Sequence, residues 1–227
     1  MSTIEVRRSN ASGWLRFGAF AFAGAALVGM SGAAHAVTIS MQALTSFGNN
    51  GWLSGTAIGL PSGTNNAFRG MAFNPSTTDL LLASGSTLVP VNSTNGSLGT
   101  ALTSSGVSGG TRALNSVAVT SDGVIYGANL TVSSTSSPFK VYRWADQSST
   151  PTTHYSGNGG RTTGAPRLGD DAAAYGADGT GVLAFGSGTG SPSFTSMSTG
   201  ASGGVANAVN YAGQVNGDFR LGLDRKS

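Results

Sequence analysis

A hidden internal repeat is the feature that most constrains how this chain folds. Four short stretches align when each is anchored on an apolar residue, and they read RGMAF (69–73), NSVAV (115–119), DAAAY (171–175) and NAVNY (207–211). The anchors Phe73, Val119, Tyr175 and Tyr211 follow one another at intervals of 46, 56 and 36 residues. Repeats at such spacings are typical of β-propellers, in which each repeat supplies one sheet, or blade. The repeat therefore predicts an architecture and not an activity.

Each repeated stretch predicts a strand with one small face and one larger face, because successive side chains of a strand point to opposite sides. In the first copy Gly70 and Ala72 form the small face, and Met71 and Phe73 form the larger one. Small side chains suit the crowded centre of a propeller, and we expect the larger ones to pack between neighbouring sheets. A chance alignment of alanine-rich strands is the alternative that the sequence leaves open.

A turn and a second strand follow each anchor. SDG (121–123) precedes VIY (124–126), and ADGTG (177–181) precedes VLAF (182–185). Asp and Gly supply the local hydrogen bonds and the positive φ that a tight reversal requires. Further strands are predicted at 79–84, 87–91, 139–144 and 193–197, with no sustained helical period after the N-terminus. The sequence thus predicts an all-β, propeller-like array of about three to four blades that follows an N-terminal signal helix.

The first 36 residues have the three parts of a signal peptide. Arg7, Arg8 and Arg16 supply positive charge, residues 17–30 are apolar, and Ala34-His-Ala36 is a small-x-small cleavage motif. Cleavage after Ala36 would leave residues 37–227 as a single propeller-like domain that is secreted or held in the cell envelope. The apolar stretch is shorter than the roughly 20 residues that span a bilayer, so no membrane span is expected in the mature chain.

Most of the excess positive charge belongs to this leader. The full chain has a formal net charge of +3 and a pI near 9.6. Arg7, Arg8 and Arg16 account for three of its twelve basic residues, and the others are scattered from Arg69 to Lys226 without a run. This distribution is unlike the basic patch of a nucleic-acid-binding protein, so no nucleic-acid partner is expected.

The residues that most catalytic and metal sites need are scarce. The chain has no cysteine, and residues 37–227 contain a single histidine, His154, and no glutamate. Asp170, Asp171 and Asp178 lack the spacing of a calcium-binding loop. We therefore predict no catalytic residues, no metal and no cofactor, and we expect His154 to be an exposed histidine at a strand end.

One polar position recurs in all four copies. Arg69, Asn115, Asp171 and Asn207 each lie four residues before an anchor. If the repeated strands line one channel, these side chains form a ring at its mouth, and we predict a ligand-binding site there, with carbohydrate as a candidate ligand. The alternative is a polar strand start that simply meets solvent. Tyr142 and Trp144 could also stack on a sugar, although the sequence favours their packing against a neighbouring blade.

Several of these segments resemble an uncharacterised family of secreted bacterial β-propeller-like proteins, a domain of unknown function. The resemblance rests on RGMAFNP (69–75), LNSVAV (114–119), DGVIY (122–126), ANL (128–130), SPFKVYRW (137–144) and RLGD (167–170), and covers about residues 44–185. It implies a propeller-like fold and an exported location, and it implies no catalytic residues. Members of the family often continue beyond this length, and many end in a PEP-CTERM-type sorting tail.

The repeat count and the exclusions lead to a functional prediction. About three and a half units are visible, and the explanation that we favour is a chain truncated at its C-terminus. The alternatives are an open array whose strand edges allow self-association and a small closed ring that uses a strand near residues 39–47 in its last blade. We predict an exported binding or structural module without identifiable catalytic activity. The alternative is a hydrolase or lyase of extracellular polysaccharide or lactone substrates that uses aspartates at the channel mouth.

Overall fold

The computed structural model describes residues 45–54, 68–161, 167–186 and 193–210, all within the unit Leu44–Ser227. These ranges contain no helix, and the fold is all-β, as predicted. Eleven strands follow one another in chain order: β1 (Phe68–Asn74), β2 (Asp79–Ser84), β3 (Thr87–Asn92), β4 (Arg112–Val119), β5 (Ile125–Leu130), β6 (Phe139–Trp144), β7 (Thr152–Gly157), β8 (Ala172–Tyr175), β9 (Val182–Phe185), β10 (Ser193–Ser198) and β11 (Asn207–Asn210).

The strands form three antiparallel sheets, and none of them closes into a barrel. The first sheet has the order β1-β2-β3, the second β4-β5-β6-β7 and the third β11-β10-β9-β8, so every strand pairs with its neighbour in sequence. Tight turns make this possible: Gly85, in the two-residue connection between β2 and β3, has a φ of 62°, and Gly123, before β5, has a φ of 91°. Glycine adopts such positive φ values without steric cost.

The second sheet lies between the other two and has a core on each side. On one side Leu81 and Leu88 of the first sheet pack with Leu114, Ile125 and Trp144. The other side carries the second core, in which Tyr126, Phe139 and Val141 of the second sheet pack with Leu183, Phe185 and Met197 of the third. Because both faces of this sheet are covered, strand β5 is buried at every position and shows no alternation between buried and exposed residues.

The first strands of the sheets approach one another closely. Strand β1 lies against β4, and β4 lies against β8. A Cβ atom added at Gly70 would stand only 2.8 Å from the Cα of Ser116 and 2.9 Å from the carbonyl oxygen of Asn115. Small side chains on these strands therefore allow the backbones to meet, as the repeat predicted.

The prediction for the larger face is wrong for the first and third sheets. Met71, Phe73 and Tyr175 do not pack between sheets, since their side chains are 64%, 50% and 76% exposed. They belong to the two sheets at the ends of the stack, where one face meets the second sheet and no described sheet covers the other.

The fourth copy of the repeat is also placed differently from the prediction. Strand β11 does not begin a further sheet, because Asn207 pairs with Ser196 and makes β11 the fourth strand of the third sheet. The predicted signal peptide (1–36), its cleavage site and the anchor Tyr211 lie outside the described residues. Among the described residues no helix is long and apolar enough to cross a membrane.

Candidate functional site

Two of the four predicted ring residues are joined directly. The Nε of Arg69 donates a hydrogen bond of 2.8 Å to Oδ1 of Asn115. Both residues lie at irregularities of their strands, because the β1–β2 register shifts between Phe68 and Gly70 and the β4–β5 register shifts between Arg112 and Ser116. Such bulges redirect side chains and are common beside functional sites.

Asn115 extends this contact to the third sheet. Its side chain is buried, and its Nδ2 donates a hydrogen bond of 2.7 Å to the carbonyl oxygen of Gly169. Beside Gly169, the guanidinium of Arg167 holds the carboxylate of Asp170 through Nε and Nη2 at 2.7–2.9 Å. Together Arg69, Asn115, Gly169, Arg167 and Asp170 form the strand-start network, named for its position at the beginning of β1, β4 and β8.

The other two predicted residues have different positions. Asp171 lies directly before β8, next to the strand-start network, and its backbone carbonyl accepts a hydrogen bond from Gly186. Asn207 begins β11, three strands away from β8 across the third sheet, a distance of about 14 Å at the usual strand spacing. Its backbone lies against Gly160, where an added Cβ would stand 2.8 Å from the carbonyl carbon of Asn207. The structure therefore brings Arg69, Asn115 and Asp171 to one region and leaves Asn207 apart.

Within the strand-start network Arg69 is the residue with spare hydrogen-bonding capacity. Its two Nη groups make no hydrogen bond or ion pair with any residue that the structure describes, and its side chain is partly exposed. Asn115 has both side-chain atoms engaged and therefore positions Arg69. A guanidinium held by Nε presents its Nη groups as a fork that matches a carboxylate or a phosphate.

A second polar cluster, which the sequence did not reveal, lies between the second and third sheets. Arg143 of β6 and Asp178, from the turn between β8 and β9, form a salt bridge of 2.5 Å. The hydroxyl of Tyr126 donates to Asp178 and accepts a hydrogen bond of 2.8 Å from the backbone N–H of Gly200. Its members come from four separate segments of the chain, so no local spacing could identify it.

Burial and pairing shift the titrations of this second cluster. Burial raises the pKa of Tyr126, and the bond to Asp178 adds to this, bringing it to about 12. Burial alone would also raise the pKa of the Asp178 carboxyl, but hydrogen bonds from Arg143 and Tyr126 outweigh it and leave the pKa below its ordinary value. The tyrosine therefore stays protonated and the aspartate ionised at neutral pH.

The prediction for His154 is wrong, because the residue is buried. Its side chain is 5% exposed, its ring meets that of Tyr126 edge to face at 5.0 Å, and its Nε2 donates a hydrogen bond of 2.9 Å to the carbonyl oxygen of Ser198. Nδ1 is buried without a hydrogen-bond partner among the described residues. Burial lowers the pKa of the imidazole. In the described ranges no group of three or more His, Cys, Asp or Glu side chains is arranged to hold a metal ion.

Tyr142 and Trp144 pack in the core, which is the interpretation that the sequence favoured. Both side chains are buried, the Tyr142 hydroxyl donates 2.6 Å to the carbonyl of Ser108, and the Trp144 indole donates 2.8 Å to the carbonyl of Thr103. Neither ring is available to stack on a sugar.

The comparisons with known proteins identify a family but no activity. Residues 68–218, more than half of the chain, match the family model described as "Domain of unknown function (DUF4623)". The chain is similar to the crystal structure of a DUF4623 family protein from Bacteroides eggerthii DSM 20697, with 24% identity and a TM-score of 0.50 over 59% of this chain and 32% of that chain. It thus spans about a third of that solved chain, and the likeness concerns the fold alone. No curated protein matches it.

Proposed function

This chain belongs to the DUF4623 family, and from that premise we propose that it is an exported, non-catalytic module that binds carboxylate-bearing carbohydrate through Arg69. The single observation that carries the proposal is the arrangement of this guanidinium. Buried Asn115 accepts a hydrogen bond of 2.8 Å from the Nε of Arg69, while the two Nη groups of Arg69 are without partners among the described residues.

The chemistry of the ligand follows from this arrangement. A guanidinium that is fixed in orientation binds a planar carboxylate through two parallel N–H···O hydrogen bonds. Acidic polysaccharides outside the cell carry many carboxylates, and these are the ligands that an exported protein would meet. The carboxylate of Asp170 does not compete for the fork, because Arg167 already holds it at 2.7–2.9 Å.

The packing of the three sheets supports a location for this site at one mouth of a propeller channel. We take the three sheets as blades of a propeller, with β1, β4 and β8 nearest the centre, since these first strands lie against one another. The strand-start network would then lie at one mouth of the central channel, close to Asp171, which lies directly before β8.

The test is a binding titration of the purified protein with polygalacturonate, with neutral dextran as the comparison ligand. Loss of a charge-assisted, two-bond contact costs about 1.5–3 kcal/mol, so Arg69→Gln is expected to weaken polygalacturonate binding roughly 10- to 100-fold. Lys140→Gln, which removes one positive charge from β6, is the matched control and is expected to change affinity little. Equal weakening by both variants would mean that binding depends on net charge and not on the Arg69 fork.

Export is tested separately. Fractionation of the native host and N-terminal sequencing of the mature protein are expected to place it outside the cytoplasm with Val37 as its first residue. A protein that retains Met1 in the cytoplasm would refute the exported location and would remove extracellular polysaccharide as the ligand.

A further inference from the structure

We propose that residues 200–206, which lie in the connection between β10 and β11, form a flap that neutral His154 holds against the second sheet and that acid releases. His154 lies on β7, an edge strand of the second sheet, and the flap belongs to the third sheet. The inference goes beyond ligand binding and rests on different residues from the proposed binding site.

Three hydrogen bonds hold the flap and the strand before it to the second sheet. The backbone N–H of Gly200 donates 2.8 Å to the hydroxyl of Tyr126, and the backbone N–H of Gly204 donates 2.9 Å to the carbonyl oxygen of His154. The Nε2 of His154 donates 2.9 Å to the carbonyl oxygen of Ser198, at the end of β10. Two of these three bonds are made by His154, which is therefore central to the contact.

The rest of the flap is weakly anchored, and its ends are fixed independently of it. Val205 is 73% exposed, residues 201 and 202 are also exposed, and only the small side chain of Ala206 packs against the second core. Before the flap, the backbone N–H and the hydroxyl of Thr199 are both hydrogen-bonded to Gly181, and after it β11 pairs with β10. The flap can therefore open while the sheets on both sides stay folded.

The contact requires the neutral form of the imidazole. Because a carbonyl oxygen can only accept, the bond to Ser198 places the proton of neutral His154 on Nε2 and leaves Nδ1 without one. Nδ1 is buried and has no hydrogen-bond partner among the described residues. Protonation would add a buried N–H that has no acceptor there, which is unfavourable. The flap backbone also lies directly on the ring, since a Cβ added at Gly204 would stand 2.6 Å from Nε2.

The charged and titratable groups around the ring do not compensate for this cost. They are Tyr126 on β5, Arg143 on β6 and Asp178 in the β8–β9 turn, and the flap itself contains no ionisable side chain. Asp178 attracts a proton on His154, but its carboxylate is already held by Arg143 and Tyr126. Burial outweighs this attraction and lowers the pKa of His154. A proton therefore binds more tightly when the flap is open and water reaches the imidazole.

The sign and the size of the effect follow from this difference. With the flap open, His154 has the ordinary histidine pKa of about 6.5, and with the flap closed its pKa is lower. Above about pH 6.5 the ratio of open to closed flap is constant. Below it the ratio rises about tenfold for each pH unit, because opening takes up one proton, until the closed form is protonated as well.

Hydrogen exchange followed by mass spectrometry from about pH 7.5 to about pH 5, corrected for the intrinsic exchange rate, tests the proposal. The protection of the flap amides is expected to fall about tenfold per pH unit below about pH 6.5. The amides of β5, which is buried at every position, are expected to stay at least about 100-fold better protected throughout. In His154→Gln the protection of the flap should not change with pH. His35→Gln, which removes the other histidine of the chain, is the matched control and should behave as the wild type does.

Three results would overturn the proposal. Equal protection of the flap and β5 would mean that the flap opens only when the sheets unfold. Protection of the flap that does not change with pH, or the same change in His154→Gln, would mean that His154 does not control it. If His154→Gln fails to fold, the His35→Gln protein still decides, because His154 is then its only histidine and the chain has no cysteine that could titrate in this range.

Discussion

Replacing Tyr126 by Phe removes one hydroxyl that serves two partners at the interface between the second and third sheets. The backbone N–H of Gly200 loses its acceptor at 2.8 Å in a buried position, which costs about 1–3 kcal/mol. Asp178 loses one donor but keeps Arg143, so the second loss is smaller, about 1 kcal/mol. We expect a total destabilisation of about 3 kcal/mol, with little change in packing because the ring is retained.

Urea unfolding followed by tryptophan fluorescence measures this loss, since Trp144 is fully buried and reports on the same sheet. The slope of the free energy against urea should stay constant, because the surface exposed on unfolding is almost the same. Tyr175→Phe is the matched control, and it is expected to change stability by less than about 0.5 kcal/mol because the ring is on the surface. A loss below about 1 kcal/mol in Tyr126→Phe would refute the reasoning, because a buried N–H without an acceptor costs at least that much.

Three further predictions concern the same interfaces. Gly70→Ala is expected to destabilise the fold by about 1–3 kcal/mol, because the new Cβ would meet the backbone of Ser116 at 2.8 Å; an unchanged urea midpoint would mean that β1 and β4 can separate without cost. Between pH 10 and about 12 the unfolded chain releases the Tyr126 proton while the folded chain keeps it, so stability should fall through this range. The fall should be less steep in Tyr126→Phe, and thermal unfolding measures it. As pH falls below about 6.5, His154 of the unfolded chain binds a proton, whereas burial beside Tyr126, Arg143 and Asp178 keeps the imidazole of the folded chain neutral to lower pH. Stability should therefore decrease with acid, and it should decrease less in a folded His154→Gln protein.

The elements of the fold could be predicted from sequence because they depend on local chemistry. Strands β2 (Asp79–Ser84), β6 (Phe139–Trp144) and β9 (Val182–Phe185) have the predicted bounds. Alternating or apolar runs and the Asp-Gly reversals act within a few residues, and they determine where a strand begins, ends and turns back. The same local signals are enough to predict all-β sheets joined in chain order.

Part of the candidate site could be predicted for a similar reason. Equivalent positions in repeated strands lie near one another when the strands do, and Arg69 and Asn115 are indeed in contact. The same reasoning failed for Asn207, because its stretch pairs with β10 as an outer strand. Strand pairing over a distance decides which copy of a repeat starts a sheet, and the local pattern is the same in both cases.

The sequence by itself determined the all-β class, the order of the strands and the polar start of the first strands. Only the tertiary structure decided which faces are covered. Whether Phe73 is exposed or His154 is buried depends on whether another sheet lies beside it, and that contact joins residues far apart in the chain. The Tyr126–Asp178 bond likewise joins residues 52 positions apart. Burial and long-range hydrogen bonding are properties of the packed sheets, and no spacing within a single strand records them.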